Sequence, residues 1–262
     1  MSFLLTLLSK PAIQQKDFEM MDINQEKGYL CVLNFDEVNV ASQYLPISEE
    51  LLYQSQNIRT SKFEGHEAFD FITLNIPNSI DILQDTDQNG IYLRKNLLVF
   101  ICEDKKLCQS IIDNFNSKDC KENTLSKILF DFFNQLTAKD TFQLESLEQE
   151  ISNLEEELIL SPKHDGLKEI MILRKKLLRL KRYYEQLYEV AQNLERNENE
   201  LLDKKILHEF RSLTGRIDRL MHSVLNLRDY LSQVREAYQS QIDINLNNVM
   251  KIFTVITAIF LP

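Results

Sequence analysis

Tryptophan is absent from this 262-residue chain, and glycine and proline occur only five times each. So few breakers over such a length exclude a turn-rich all-β fold and favour long helices. No Cys-x-x-Cys pair occurs among Cys31, Cys102, Cys108 and Cys120, and no histidine stands at zinc-finger spacing from them. The thiols are expected to be reduced and structural. His66, His164, His208 and His222 form neither His-x-x-x-His nor His-Glu-x-x-His. There is also no Gly-x-Gly-x-x-Gly, phosphate loop or Gly-x-Ser-x-Gly. Nothing therefore points to an enzyme or to an organic cofactor. Positive charge is in deficit, with a formal net charge of -10. Nucleic-acid binding needs clustered Lys and Arg to meet phosphates, so no nucleic-acid partner is expected. Met1 to Leu8 lacks a basic flank, and its apolar run is too short for a signal peptide. This end is expected to stay in the cytosol.

What is present suits a folded protein: 44% apolar and 27% charged residues. Up to about residue 120, short apolar runs alternate with polar turns. Tyr29 to Asn34 reads as a strand, and so do Ala68 to Ile76, Ile91 to Lys95 and Asn96 to Ile101. Ser48 is placed to cap a helix starting at Glu49, and Leu107 to Phe115 has helical spacing. Strands mixed with helices predict a compact N-terminal α/β domain over 1–120, with a mixed sheet flanked by helices.

The character changes near residue 121. From there to residue 200 one Pro and one Gly appear, both within Ser161-Pro162-Lys163-His164-Asp165-Gly166. Before that turn, Leu144, Leu147, Ile151, Leu154 and Leu158 form one apolar helical stripe. After it, Ile170, Leu173, Leu177, Leu180, Tyr184, Leu187 and Ala191 form another. The spacing predicts an antiparallel helical hairpin within 121–202. The first arm is rich in Glu and the second in Lys and Arg. Surface ion pairs are worth at most about 1 kcal/mol each, so this pattern selects a partner more than it adds stability.

The last segment, from about residue 203, holds a stripe of Leu227, Leu231, Val234, Tyr238, Ile242, Leu246, Val249 and Phe253. Its mean step is about 3.7 residues, which suits a straight helix better than a left-handed coiled coil. One helix from Arg216 to Leu261 would be roughly 70 Å long at 1.5 Å per residue. A small domain cannot cover such a length, so the helix is expected to meet other copies or a membrane. From Val249 to Leu261 the only charge is Lys251. That run is short of the roughly 20 residues a membrane span needs. It reads as a membrane helix cut soon after it begins. The expected layout is α+β overall: the α/β domain, the hairpin, a stalk helix over 203–248, and the start of a first transmembrane helix over 249–262.

Three stretches of this end carry a family resemblance. Arg235-Glu236-Ala237-Tyr238-Gln239-Ser240, the run from Asn247 to Thr257, and Ile259-Phe260-Leu261-Pro262 closely resemble the stalk end and first membrane helix of CorA-type divalent-cation transporters. Upstream only the layout agrees, and the family's Gly-Met-Asn signature is not in the chain. The resemblance implies a homopentamer in the cell membrane, with this portion on the cytoplasmic side. It also implies transport of Mg²⁺, or of Co²⁺, Ni²⁺ or Zn²⁺, and closure of the pore when intracellular Mg²⁺ is bound. Mg²⁺ would then be both cargo and regulator. Oxygen ligands and retained water suit that ion. By the same resemblance Asn247 and Met250 match pore-lining positions, and Phe253 and Leu261 match gate positions. Phe253 stands where a smaller aliphatic side chain is also seen, and Leu261 where Met is, which leaves the gate's width open. Glu236 matches an acidic position facing the pore axis, where several copies would make a carboxylate ring. Taken alone, Glu236 reads better as a solvated charge and Asn247 as a common helix-face residue, and it is the resemblance that favours the pore reading.

Asp85-Thr86-Asp87-Gln88-Asn89-Gly90 matches half of a calcium-binding EF-hand loop, but the closing Glu is replaced by Asn96. A hairpin turn is the better reading. Asp81, Asp85 and Asp87 stand as candidates for a regulatory cation site. Two other readings remain open: a structural coiled-coil protein tethered by one membrane anchor, and a zinc-transporting relative of the same family.

Overall fold

The computed structural model describes residues 3–6, 28–38, 45–55, 58–78, 81–117, 124–160 and 166–260. The turn around Pro162, together with Cys120, His164 and Leu261, lies outside the described residues. A six-stranded sheet is built from β1 (Phe3–Thr6), β2 (Tyr29–Asn34), β3 (Lys62–Gly65), β4 (Phe69–Ile76), β5 (Asp87–Arg94) and β6 (Leu97–Cys102). The spatial order is β1-β2-β6-β5-β4-β3. Only β2 and β6 pair in parallel, so the sheet is mixed. β6 reads Leu-Leu-Val-Phe-Ile-Cys and is buried throughout, as a central strand covered on both faces must be.

Alternation sorts the strands into two cores. Leu30, Val32, Ile72, Leu74, Ile91 and Phe100 face the helices described below. Cys31, Leu33, Phe71, Tyr92, Val99 and Ile101 face the other way, beneath Leu45, Ile47, Leu51 and Leu52. Leu51 and Leu52 belong to α1 (Glu49–Ser55), where the Leu51 N–H donates to Ser48 Oγ at 3.4 Å. The Asp85–Gly90 run corrects the hairpin-turn expectation. Asp87 opens β5, and Gly90 sits inside that strand opposite Thr73 and Ile101. Strand pairing on both sides overrides the turn propensity of Asp, Asn and Gly. The glycine has a packing reason, because a Cβ there would lie 2.6 Å from Ser55 Cβ.

Beyond the sheet come α2 (Lys105–Ser117), α3 (Leu125–Leu136), α4 (Asp140–Leu160), α5 (Gly166–Arg196) and α6 (Lys204–Phe260). Thr124 caps α3, its Oγ1 accepting from the Lys127 N–H at 3.2 Å. α3 is a helix separate from the hairpin arms, and it joins sheet to long helix through aromatic rings. Phe132 meets Phe100 of β6 at 5.0 Å between centroids, and Phe130 meets Phe210 of α6 edge-on at 5.5 Å. α5 packs along α6 more than along α4, so the second arm's main partner is the long helix. Between the arms Lys176 Nζ pairs with Glu150 at 2.7 Å. Gly166 starts α5 against Leu158, whose Cδ2 would lie 2.2 Å from any Cβ placed there. The chain reverses into α6 through Asn197 and Glu200, at φ of 49° and 51°. Asn197 stabilises this reversal, bonding both the N–H and the carbonyl of Leu202 at 3.0 Å.

Candidate functional site

α6 has 57 residues, about 85 Å at helical rise. Its two halves differ in environment. Ile206, Phe210, Leu213, Ile217, Leu220, Val224, Leu227, Leu231, Val234 and Tyr238 are buried against α3, α4 and α5. The lower half is thus covered by the chain itself, but the domain does not cover the whole length of the helix. Above Tyr238 the cover ends. Ile242 is partly buried, whereas Leu246, Val249 and Phe253 are exposed, so the predicted stripe is half core and half surface. This upper part includes an 18-residue window of mean hydropathy 1.2, none of it buried. Length and composition are those of a helix able to cross a membrane.

Polar hydroxyls in this segment are satisfied within the helix. Thr254 Oγ1 donates to the Met250 carbonyl at 2.9 Å, and Thr257 Oγ1 to the Phe253 carbonyl at 2.8 Å. Such back-bonding removes the cost of carrying hydroxyls into an apolar medium.

At about 100° per residue, Glu236, Asn247 and Met250 fall within an arc of about 60° on α6. All three are exposed. The arc lies roughly opposite the face of Leu227, Leu231, Val234 and Tyr238 that is buried against the chain's own helices. Phe253, also exposed, lies about 60° further round than Met250. Asp243 and Thr254 share the arc and were not singled out from the sequence, where the periodicity was followed in apolar residues. The signal was available in the spacing 236, 240, 243, 247, 250 and 254, steps of alternately four and three.

The candidate regulatory carboxylates do not come together. Among the described residues, no three His, Cys, Asp or Glu side chains are arranged to hold a metal ion. Asp81 Oδ1 accepts from the Leu83 N–H at 3.0 Å, a local turn in the β4–β5 connection. Asp85 is exposed. Asp87 is pushed up from the ordinary carboxylate range by burial and by the charges of Asp104 and Glu103.

A second set of groups lies at the foot of the helices. Asp140 is pushed up to about 6 by burial, which outweighs the lowering effects of Tyr184 and Arg216. Arg216 on α6 donates to Asn134 Oδ1 at 2.6 Å. Further up, Tyr230 of α6 donates to Glu155 of α4 at 2.6 Å. Another bond ties the sheet to the α5–α6 reversal: Asn199 Nδ2 reaches both the His66 carbonyl and Asp70 Oδ1 at 2.6 Å.

Residues 43–262 match the family described as CorA-like Mg²⁺ transporter protein. The cobalt/magnesium transport protein CorA of Thermotoga maritima is 24% identical over 236 residues, covering 87% of this chain and 66% of that one. The chain therefore spans just under two thirds of that relative. Among solved structures, the complete CorA magnesium transporter of Methanocaldococcus jannaschii superposes with a TM-score of 0.79 at 22% identity. That match covers 98% of this chain and 83% of the other. The cytoplasmic domain of ZntB from Vibrio parahaemolyticus superposes with a TM-score of 0.73 at 11% identity, covering 93% of this chain and 99% of that one. These two likenesses bear on fold, and they show the same α+β architecture. With more than four fifths of its length matched, the chain belongs to the CorA-like Mg²⁺ transporter protein family.

Proposed function

We propose that this chain is the cytoplasmic and stalk portion of a divalent-cation transporter, and that the exposed arc of α6 faces the same arc of other copies around an ion path. The family is one of transporters, not enzymes. The observation that carries the reading is the division of α6. Its own helices cover one side up to Tyr238, while Glu236, Asn247 and Met250 point away from them. An arc left free over such a length has the geometry for closing a bundle of copies.

In this reading five copies form the bundle. Glu236 makes a carboxylate ring that concentrates cations at the cytoplasmic side, and Asp243 adds a second ring two turns above. Asn247 offers amide oxygens to an ion that keeps its water, as Mg²⁺ does. Met250, Phe253 and Leu261 supply an apolar constriction that closes by excluding water. Residues 1–120 form the sensing head, 121–202 the helical arms, 203–248 the stalk, and 249–262 the entry into the bilayer. Mg²⁺ is cargo and also regulator, binding between copies and favouring the closed bundle.

Titration with Mg²⁺ to millimolar levels tests the regulatory role. Tryptic fragmentation and sedimentation are followed together, with Co²⁺, Ni²⁺ and Zn²⁺ as parallel arms. Mg²⁺ is expected to raise protease resistance and to favour the associated form. Unchanged resistance and unchanged association would remove the regulatory role from this portion. A response to Zn²⁺ alone would make zinc, not Mg²⁺, the regulatory ion.

A further inference from the structure

The foot of the helices contains polar groups that the ion path does not use. α3 ends at Leu136 and α4 begins at Asp140, with no glycine or proline at the bend. Asp140 thus stands at an elbow between two helices, and the elbow rests on α5 and α6. Tyr184 of α5 is fully buried, and its hydroxyl faces the Asp140 carboxylate. Arg216 of α6 approaches from the other side and is tied to α3 through Asn134. The contacts are incomplete. Asp140 Oδ2, Tyr184 Oη and Arg216 Nε are all buried without a hydrogen-bond partner. Buried polar atoms left unpaired cost free energy that hydration would recover.

Space for that hydration lies on both sides. A cavity of about 280 Å³ is lined by Asp140, Tyr183, Tyr184, Lys139 and Phe132. A groove of about 500 Å³ between α4 and α6 is lined by Thr141, Leu144, Arg216 and Arg219. We propose that the α3–α4 elbow is a proton-operated latch on α6: a proton on Asp140 locks the elbow against α5 and α6, and its loss favours a hydrated, opened elbow. This goes beyond transport and holds for the fold of the chain by itself.

The direction follows from linkage. Closed, the carboxylate is desolvated and holds its proton up to about pH 6. Opened into water, it returns to the ordinary value of 3.8. The closed form therefore binds the proton more tightly, and raising the pH through about 6 draws the elbow open. The charged and titratable groups around Asp140 are few. Arg216 faces it from α6, Tyr183 and Tyr184 from α5, Lys139 from the elbow, and Asp87 across the cavity from β5, while Arg219, Glu145 and Glu148 line the groove that Arg216 shares. Burial of Asp140 outweighs the lowering effects of Tyr184 and Arg216.

Hydrogen–deuterium exchange on the whole chain tests this, with protection over residues 137–144 and 213–220 normalised to intrinsic rates between pH 5 and 7.5. The wild type is expected to lose protection about tenfold between pH 5 and 7.5, the share of the linkage that falls above pH 5. Asp140→Asn, isosteric and permanently neutral, is expected to stay protected throughout. Tyr184→Phe removes the nearby hydroxyl that favours the ionised carboxylate and should move the midpoint upward. A wild type without pH dependence overturns the proposal. So does an Asp140→Asn chain that keeps the wild-type slope, or a Tyr184→Phe midpoint that does not move.

Discussion

Truncating Phe210 to alanine should destabilise the chain by about 3–5 kcal/mol, the usual cost of emptying a buried aromatic site. Phe210 is fully buried and meets Phe130 and Phe133 of α3, at 5.5 and 6.3 Å between ring centroids. Its loss would open a cavity where α3 fastens the sheet to the long helix. The same truncation at Phe253, on the same helix, should change stability by no more than about 0.5 kcal/mol, because that ring is 60% exposed. The contrast isolates environment, since chemistry and secondary structure are matched. Urea unfolding followed by circular dichroism suits a chain without tryptophan. With a slope of about 3 kcal/mol/M, Phe210→Ala should lower the midpoint by about 1–1.7 M. Phe253→Ala should leave the midpoint in place and reduce self-association in the absence of detergent. Equal shifts for the two variants would refute the division of α6 into an anchored lower half and a free upper half.

Gly90→Ala should cost about 1–3 kcal/mol through overpacking against Ser55, and Ser55→Gly in the same chain should recover most of it in a double-mutant cycle. Wild-type stability should fall as pH rises from about 4 through about 6, because folded Asp140 holds its proton more tightly than the unfolded chain does. The full difference is about 3 kcal/mol, of which about 1.4 kcal/mol falls between pH 5 and 7.5, and Asp140→Asn should abolish that part in melts at those two pH values. Tyr230→Phe should lose about 1 kcal/mol through the bond to Glu155, and adding Glu155→Gln should cost little more, as urea midpoints of the single and double variants would report.

The hairpin and the long helix were legible because their apolar residues recur at three and four, and five glycines in the chain leave few places to break. The strands were legible from alternation and β-branched content. The sheet order was not, because the parallel β2–β6 pair joins segments separated by more than sixty residues, and local spacing carries no trace of that pairing. α3 was missed as a separate helix. Its break at Thr137–Lys139 uses no glycine or proline, and its phenylalanines take their meaning from Phe100 and Phe210 far along the chain. The stripe from Leu227 to Phe253 was visible, but periodicity alone could not tell that Tyr238 ends the self-covered part. Asp140, Tyr184 and Arg216 meet only through the packing of three helices, so spacing could not bring them together. On α6 the reverse held: Glu236 and Asn247 were found through a resemblance, and the helix geometry added Asp243.

Disulfide trapping of the chain in membranes tests the central claim most directly, with Cys108 and Cys120 replaced by serine. Asn247→Cys and Met250→Cys lie on the free arc, while Ile252→Cys lies roughly opposite Glu236 on the same helix. Trapping between copies should be rapid at positions 247 and 250 and slow at 252. Equal trapping at all three positions, or faster trapping at 252, would contradict an ion path lined by Glu236, Asn247 and Met250.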